Sequence, residues 1–185
     1  MIYSLSLQTV GLLVGALLVA GHLIALLHAR GVQQLLRALP RSRGAGVVLL
    51  TLAAAWAFGL VAQIDLGEFT SYRQVFLGVI AAGYVLTLVF VPEFLAVRAL
   101  GMLCLLAAEP LLEAAFLQQQ QSRLLLTVIA YVWAVLGIFW VGKPYLLRDQ
   151  VAWASASPWR WRAAALGGVL YGAVLLAAAF TQYGA

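Results

Sequence analysis

The chain has 185 residues, of which 65% are hydrophobic and only 9% are charged. Soluble domains carry about 25% charged residues, so this composition excludes a water-soluble globular protein and predicts a chain that lies in lipid. An isoelectric point near 9.8 would indicate nucleic-acid binding in a soluble protein. In a membrane protein the same excess arises because basic residues gather on the cytoplasmic side. We therefore expect the lipid bilayer as a partner and no nucleic acid.

Six apolar runs predict six transmembrane helices, at about residues 5–27, 46–64, 74–91, 94–117, 124–142 and 163–181. Each has close to the ~20 residues that cross the hydrocarbon core. Helices are expected because an open sheet leaves backbone groups unsatisfied in lipid. The N-terminal run lacks a basic segment and a cleavage site, so it is expected to be a retained helix. The predicted fold is an all-α integral membrane protein, a compact six-helix bundle forming one domain (1–185) with short loops and no soluble domain.

The basic residues are distributed unevenly between the two ends of such a bundle. One end holds only Arg73 and Arg123, and the other end holds the remaining nine: Arg30, Arg37, Arg41, Arg43, Arg98, Lys143, Arg148, Arg160 and Arg162. The positive-inside rule places the nine-residue end in the cytoplasm. Both termini are then outside the cytoplasm, and we expect a bacterial inner membrane.

Aromatic residues follow the same division. The cytoplasmic interface is predicted to hold Trp140, Tyr145, Trp153, Trp159 and Trp161, and the opposite interface Tyr3, Tyr72 and Tyr183. Two cytoplasmic segments, 32–39 and 145–156, are candidates for short interfacial helices, and each leads to a proline and a basic cluster. We interpret them as two independent anchors, although a faint internal repeat is the alternative. The predicted interfacial anchors are Arg41, Arg43, Arg98, Arg160, Arg162, Trp159 and Trp161.

Small residues recur four positions apart in three of the runs. The pairs are Gly11 and Gly15, Gly78 and Ala82, and Gly168 and Gly172. This spacing lets helices approach closely. The neighbour belongs either to the same chain or to a partner, so self-association or binding of other membrane subunits through Gly11/Gly15 and Gly168/Gly172 is expected as one use of these faces.

The fourth run is anomalous because it contains residues that are rare in hydrocarbon, namely Arg98, Glu109, Pro110 and Glu113. At 100° per residue, the three charged side chains fall within about 60° of one another. Arg98 is about 16 Å from Glu109 by helical rise, so the two cannot pair. We expect Arg98 to extend toward the headgroups or toward Glu93 as an interfacial anchor.

Glu109 and Glu113 are the candidate site. Two carboxylates at this spacing repel each other, so a shared cation or a proton is expected. The predicted cationic partner of Glu113 is Arg73 or Arg123. Glu109 lies within about 5 Å of the midplane by helical rise, and the predicted hydrogen-bond donors to it are Tyr84 and Tyr131. The pair of acids beside the helix-breaking Pro110 is either an ion or proton site or an interhelical clasp.

Other chemistry finds little support in the sequence. His22 and His28 point about 120° apart on one helix, so they cannot bind one metal. A haem with two axial histidines needs them on facing elements. Cys104 is the single cysteine, and it matches no zinc spacing. No cofactor or metal is expected, and the enzyme class has the least support.

Two classes of function remain. Small size and the glycine faces favour a non-catalytic accessory, assembly or scaffold subunit of a larger membrane complex. The alternative is a small ion- or proton-coupled transporter that uses Glu109 and Glu113. A carrier should have a polar cavity reaching Glu109, whereas a subunit should have a dry fourth span and an apolar surface facing a partner.

The charge asymmetry generates a topological prediction. A reporter fused at Ala185 should be active only outside the cytoplasm, and one inserted between Arg37 and Arg43 should be active only inside it. A cytoplasmic signal at Ala185 would contradict both the six spans and the orientation.

Overall fold

The computed structural model describes residue 3 and residues 5–181 of the chain. Within these residues the fold is all-helical, with no strand, and six helices are long and apolar enough to cross a membrane. The six are α1 (Leu7–Leu27), α3 (Arg43–Gln63), α4 (Arg73–Phe90), α5 (Leu95–Ala115), α6 (Arg123–Gly142) and α8 (Pro158–Thr181). The predicted multi-pass fold class is therefore confirmed.

Two short helices, α2 (Ala29–Ala38) and α7 (Tyr145–Ser155), join spanning helices at one end of the bundle. They coincide with the two predicted short segments, although α2 begins three residues earlier than expected. Single 3₁₀ segments, Leu39–Arg41 and Gly67–Tyr72, precede α3 and α4. The last helix begins at Pro158, because proline fits the first position of a helix, where its missing N–H costs nothing.

The two ends of the bundle differ in charge. The acidic end, where α3 and α5 finish and α4 and α6 begin, holds Asp65, Glu68, Glu109 and Glu113, four of the six carboxylates, but only two of the eleven basic residues. The basic end, which includes α2 and α7, holds the other nine. Tyr183 and Ala185, which the sequence places beside the acidic end, lie outside the described residues.

Glycine contacts hold two pairs of helices together. A Cβ atom at Gly15 of α1 would lie 3.0 Å from the carbonyl oxygen of Gly172 in α8, and the reverse distance is 2.9 Å. The helices α5 and α6 meet in the same way, because a Cβ at Gly101 would lie 2.8 Å from the Gly137 oxygen. No larger residue fits such crossings without displacement of backbone.

The predicted glycine faces are therefore used within the chain. Gly11, Gly15 and Gly172 are buried, and Gly168 is covered by the ring of His22. Association with a second chain through the rest of these faces stays a prediction. Gly78 on α4, in contrast, has open space beside it.

The helix α5 lies at the centre of the bundle, and α4 lies at its edge. At the acidic end, side chains of α5 pack with those of α1, α6 and α8 in one apolar cluster. At the basic end, Leu95, Ala96, Val97 and Ala99 of α5 are almost fully buried. The helix α4 buries none of its residues and contacts α3 as its main spanning neighbour.

The two short helices lie against each other at the basic end. Leu36 of α2 and Leu147 and Val151 of α7 belong to one apolar cluster with Val97 of α5. The two segments are therefore in contact, with Leu36 partly buried and Leu147 and Val151 buried, and their interpretation as two anchors stays a prediction.

Candidate functional site

A cavity of about 1,020 Å³ lies along the acidic half of α5. It extends from Leu105, at the middle of this helix, to Phe116, just beyond its end, which is about 16 Å of helical rise. Gln63 and Asp65, both exposed at the end of α3, line its mouth. The cavity therefore joins the acidic end of the protein to the middle of the bundle.

Glu109 and Glu113 both line this cavity, as the shared helical face predicts. The Oε2 atom of Glu109 is enclosed and accepts no hydrogen bond from the described residues. A charged carboxylate in such a place lacks the donors that stabilise it. Among the described residues, no side chain supplies these donors to Oε2 of Glu109.

Tyr3 connects the site to two helices. Its backbone N–H donates a hydrogen bond to Oε2 of Glu113 (3.2 Å), and its hydroxyl accepts one from Nε1 of Trp56 on α3 (2.6 Å). Burial raises the pKa of Tyr3, the Trp56 hydrogen bond lowers it, and the charges of Glu109 and Glu113 raise it further. The hydroxyl therefore stays protonated, which suits a residue bonded beside two acids.

Sequence reasoning placed Tyr3 only at a membrane interface. Its partners lie about 50 and 110 positions away along the chain, and no local pattern records such distances. The one available signal was an aromatic residue close to the first span, which marks an interface and nothing more specific.

The two tyrosines expected to donate to Glu109 do not reach it. The hydroxyl of Tyr84 lies 2.9 Å from Oγ1 of Thr51, and Thr51 donates its own proton to the Val47 carbonyl, so Tyr84 is the donor of that bond. Tyr131 is 59% exposed on the surface of α6. Both predictions are wrong, because the hydroxyl of Tyr84 is bonded to Thr51 of α3 and the side chain of Tyr131 is exposed.

The predicted clasp between Glu113 and an arginine is also wrong. Arg73 donates to the carbonyls of Ala62 (3.1 Å) and Ile64 (2.8 Å) at the end of α3. Arg123 donates to the carbonyl of Ala115 (3.4 Å) at the end of α5. Among the described residues, neither arginine forms an ion pair with a carboxylate. The last carbonyls of a helix lack partners within it, and they attract cations.

Arg98 is used in the same way at the basic end. Its Nη1 donates to the carbonyl of Val141 (2.7 Å), next to the end of α6, so it binds α6 and not Glu93. Trp161 is not an interfacial anchor, since it is only 8% exposed and donates to the carbonyl of Ala25 (2.8 Å). Of the other predicted anchors, Trp159 is 76% exposed.

The remaining predicted anchors, Arg41, Arg43, Arg160 and Arg162, are exposed at the basic end. The guanidinium of Arg160 lies 5.0 Å from the ring of Trp153. Their positions are those that the sequence predicts, and binding to headgroups stays a prediction.

Pro110 does not break α5. The helix continues from Leu95 to Ala115 through the proline. Proline has no N–H, so the carbonyl of Leu106 lacks the partner four residues ahead that an ordinary residue provides. The site is thus built on a continuous helix, in contrast to the interrupted helices of many carriers.

The part of the chain that the structure describes contains no group of three or more histidine, cysteine or acidic residues that could hold a metal ion.

No family model, no curated protein and no solved structure matches the chain. The geometry of the cavity is therefore the basis for a functional proposal.

The contacts of Arg73 predict its energetic role. Replacing Arg73 with Gln should lower the free energy of unfolding in detergent by about 1–3 kcal/mol, because two helix-end carbonyls lose their donors. Combined with Glu113→Gln, the effects should add to within about 0.5 kcal/mol, as for residues that share no partner. A double-mutant cycle from unfolding in mixed micelles measures this, and a coupling of several kcal/mol, as in a buried ion pair, would contradict these contacts.

Proposed function

We propose that the protein is a small membrane carrier that binds a cation or a proton at Glu109 and Glu113. The observation that carries this proposal is the cavity of about 1,020 Å³ that reaches both acids from the acidic end. A polar cavity at Glu109 is the feature that distinguishes a carrier from an accessory subunit. A large cavity with a few convergent polar groups is also the usual form of a small-molecule site.

The charges around the cavity support a cationic cargo. Its walls include Glu109 and Glu113, and Asp65 lies at its mouth, while no arginine or lysine lines it among the described residues. A cleft lined by charges of one sign concentrates ions of the opposite sign. An enclosed carboxylate oxygen without a donor, as at Glu109, favours the arrival of a proton or cation over the empty charged state.

The other half of the bundle supplies a barrier. Between Leu105 and the basic end, Leu95 and Ala99 of α5 pack against Leu50 of α3. These three side chains are almost inaccessible to solvent. None of these three residues lines the cavity at Glu109. In a carrier that alternates between two sides, this arrangement is the state open toward the acidic end, and transport requires α3 and α5 to separate at the basic end.

The proposed carrier has a definite orientation in the membrane. The nine basic residues at the basic end favour a cytoplasmic location for α2 and α7. The cavity then opens to the outside, both termini lie outside the cytoplasm, and the membrane is a bacterial inner membrane. The cargo would enter from the external solution, and the buried cluster at the basic end would control its release.

The second candidate is a non-catalytic accessory, assembly or scaffold subunit, and α4 is the observation that favours it. A spanning helix that buries none of its residues and packs mainly on one neighbour presents most of its surface outward. Large apolar residues on it, including Phe76, Val79 and Phe90, are exposed. A partner subunit would dock on α4, because the glycine faces of α1 and α8 are already covered.

Replacing Glu109 with Gln distinguishes the two candidates. Purified protein is reconstituted in vesicles with a trapped pH dye, and proton movement is followed under gradients of Na⁺, K⁺ or methylammonium. The parent should respond to at least one gradient, and Glu109→Gln should reduce that response at least tenfold, because an amide does not exchange a proton or balance a cation. Thermal unfolding should be nearly unchanged, since the enclosed Oε2 accepts no hydrogen bond from the described residues that the amide would lose.

The matched control is Glu68→Gln, which removes an exposed carboxylate at the same end that does not line the cavity. It should transport like the parent. If the parent gives no response to any gradient, or Glu109→Gln responds as strongly as the parent, the carrier proposal is wrong and the accessory subunit remains.

A further inference from the structure

A second cavity, of about 340 Å³, lies at the basic end among α1, α2, α7 and α8. Its walls include Val32 and Leu36 of α2 and Ala154 of α7, and its only polar side chains are those of His22 and Trp161. It shares no lining residue with the cavity at Glu109. The two cavities are therefore separate sites.

The polar atom of Trp161 is already used. Its Nε1 donates to the carbonyl of Ala25 at 2.8 Å. An indole has one donor and no acceptor, so Trp161 offers the cavity an aromatic surface and no free hydrogen-bonding group. The side chain is only 8% exposed, so a small part of its ring forms the wall of the cavity.

His22 differs, because one of its two ring nitrogens has no partner. Its Nδ1 lies 2.8 Å from the carbonyl oxygen of Leu18. A carbonyl only accepts, so Nδ1 carries the proton of the neutral ring and Nε2 carries the lone pair. Nε2 forms no hydrogen bond with the described residues and is not among their fully enclosed polar atoms.

The ring of His22 is held by the helix beside it. It lies against Gly168 of α8, where any Cβ atom would overlap the ring. The Leu18 bond and this contact together fix the ring orientation. The cavity thus presents one preorganised acceptor, one aromatic wall and otherwise apolar surface.

These features define the ligand that would fit. It needs one O–H donor for Nε2, an apolar body that fits the mostly apolar walls, and no charge, because no charged side chain lines the cavity. Leu17 at the wall is 62% exposed on the surface that faces hydrocarbon, so the ligand would enter from the bilayer. We propose that this cavity binds a lipophilic hydroxyaromatic molecule, a phenol or quinol ring, whose hydroxyl donates to Nε2 of His22.

A pair of probes that differ only in the donor tests this site. Binding of 4-hexylphenol and of its methyl ether, 4-hexylanisole, is measured by equilibrium dialysis of the protein in nanodiscs, with empty nanodiscs subtracted. The parent should bind the phenol about fivefold more tightly than the ether, the typical effect of one hydrogen bond. His22→Phe keeps an aromatic ring but has no acceptor, so it should bind both probes equally.

A cavity-filling variant keeps the test decisive if His22→Phe does not fold. A Cβ at Gly21 meets nothing within 4 Å, so Gly21→Leu can fold while its side chain fills the cavity. It should lose binding of both probes. Gly167→Leu, on α8 with equally open space and outside the cavity, should bind like the parent. Equal affinity of the parent for both probes, or unchanged phenol binding by Gly21→Leu, would overturn the proposal.

Discussion

The carbonyl groups at the C-terminal ends of the spanning helices need donors, and arginines of neighbouring helices supply them. Arg73 donates hydrogen bonds to carbonyls at the end of α3, Arg123 to one at the end of α5, and Arg98 to one at the end of α6. The last carbonyls of a helix lack partners within it, and near hydrocarbon water does not reliably satisfy them. The guanidinium has five donors in a rigid fork, so it can bind a helix end from an adjacent helix. These three arginines therefore lie where helix ends need donors.

Because these arginines bind helix ends, the acids of α5 face a cavity and not an arginine. With the arginines at helix ends, none lies against Glu109 or Glu113 among the described residues. The helix α3 touches α5 closely at the basic end, where a Cβ at Gly46 would lie 2.9 Å from the backbone N of Ala96. At the acidic end, Gln63 of α3 instead lines the cavity. The two helices therefore diverge toward the acidic end, and the space between them reaches the carboxylates.

Hydropathy was sufficient to predict the six long apolar helices, because the difference between lipid and water affects every residue of such a helix. Helical periodicity was sufficient to place Glu109 and Glu113 on one face. The hydrogen-bond partner of each side chain was not predictable, since a long side chain such as that of Arg73 can reach several groups. A single sequence also does not record which helices are neighbours. Trp161 illustrates the limit: its basic neighbours resemble an interfacial pattern, but its position on α8 directs the ring to Ala25.

Cargo can reach Glu109 from the external solution only if the cavity contains water, and cysteine accessibility tests this most directly. In a Cys104→Ala background, Leu105→Cys places a thiol at the deep end of the cavity, and Val128→Cys places one on the outer surface of α6, where Val128 is 52% exposed. Ionised methanethiosulfonate reagents react in water and not in hydrocarbon. The thiol at position 105 should react although it is deeper, and the one at 128 should not. An unreactive thiol at 105 would contradict a water-filled cavity.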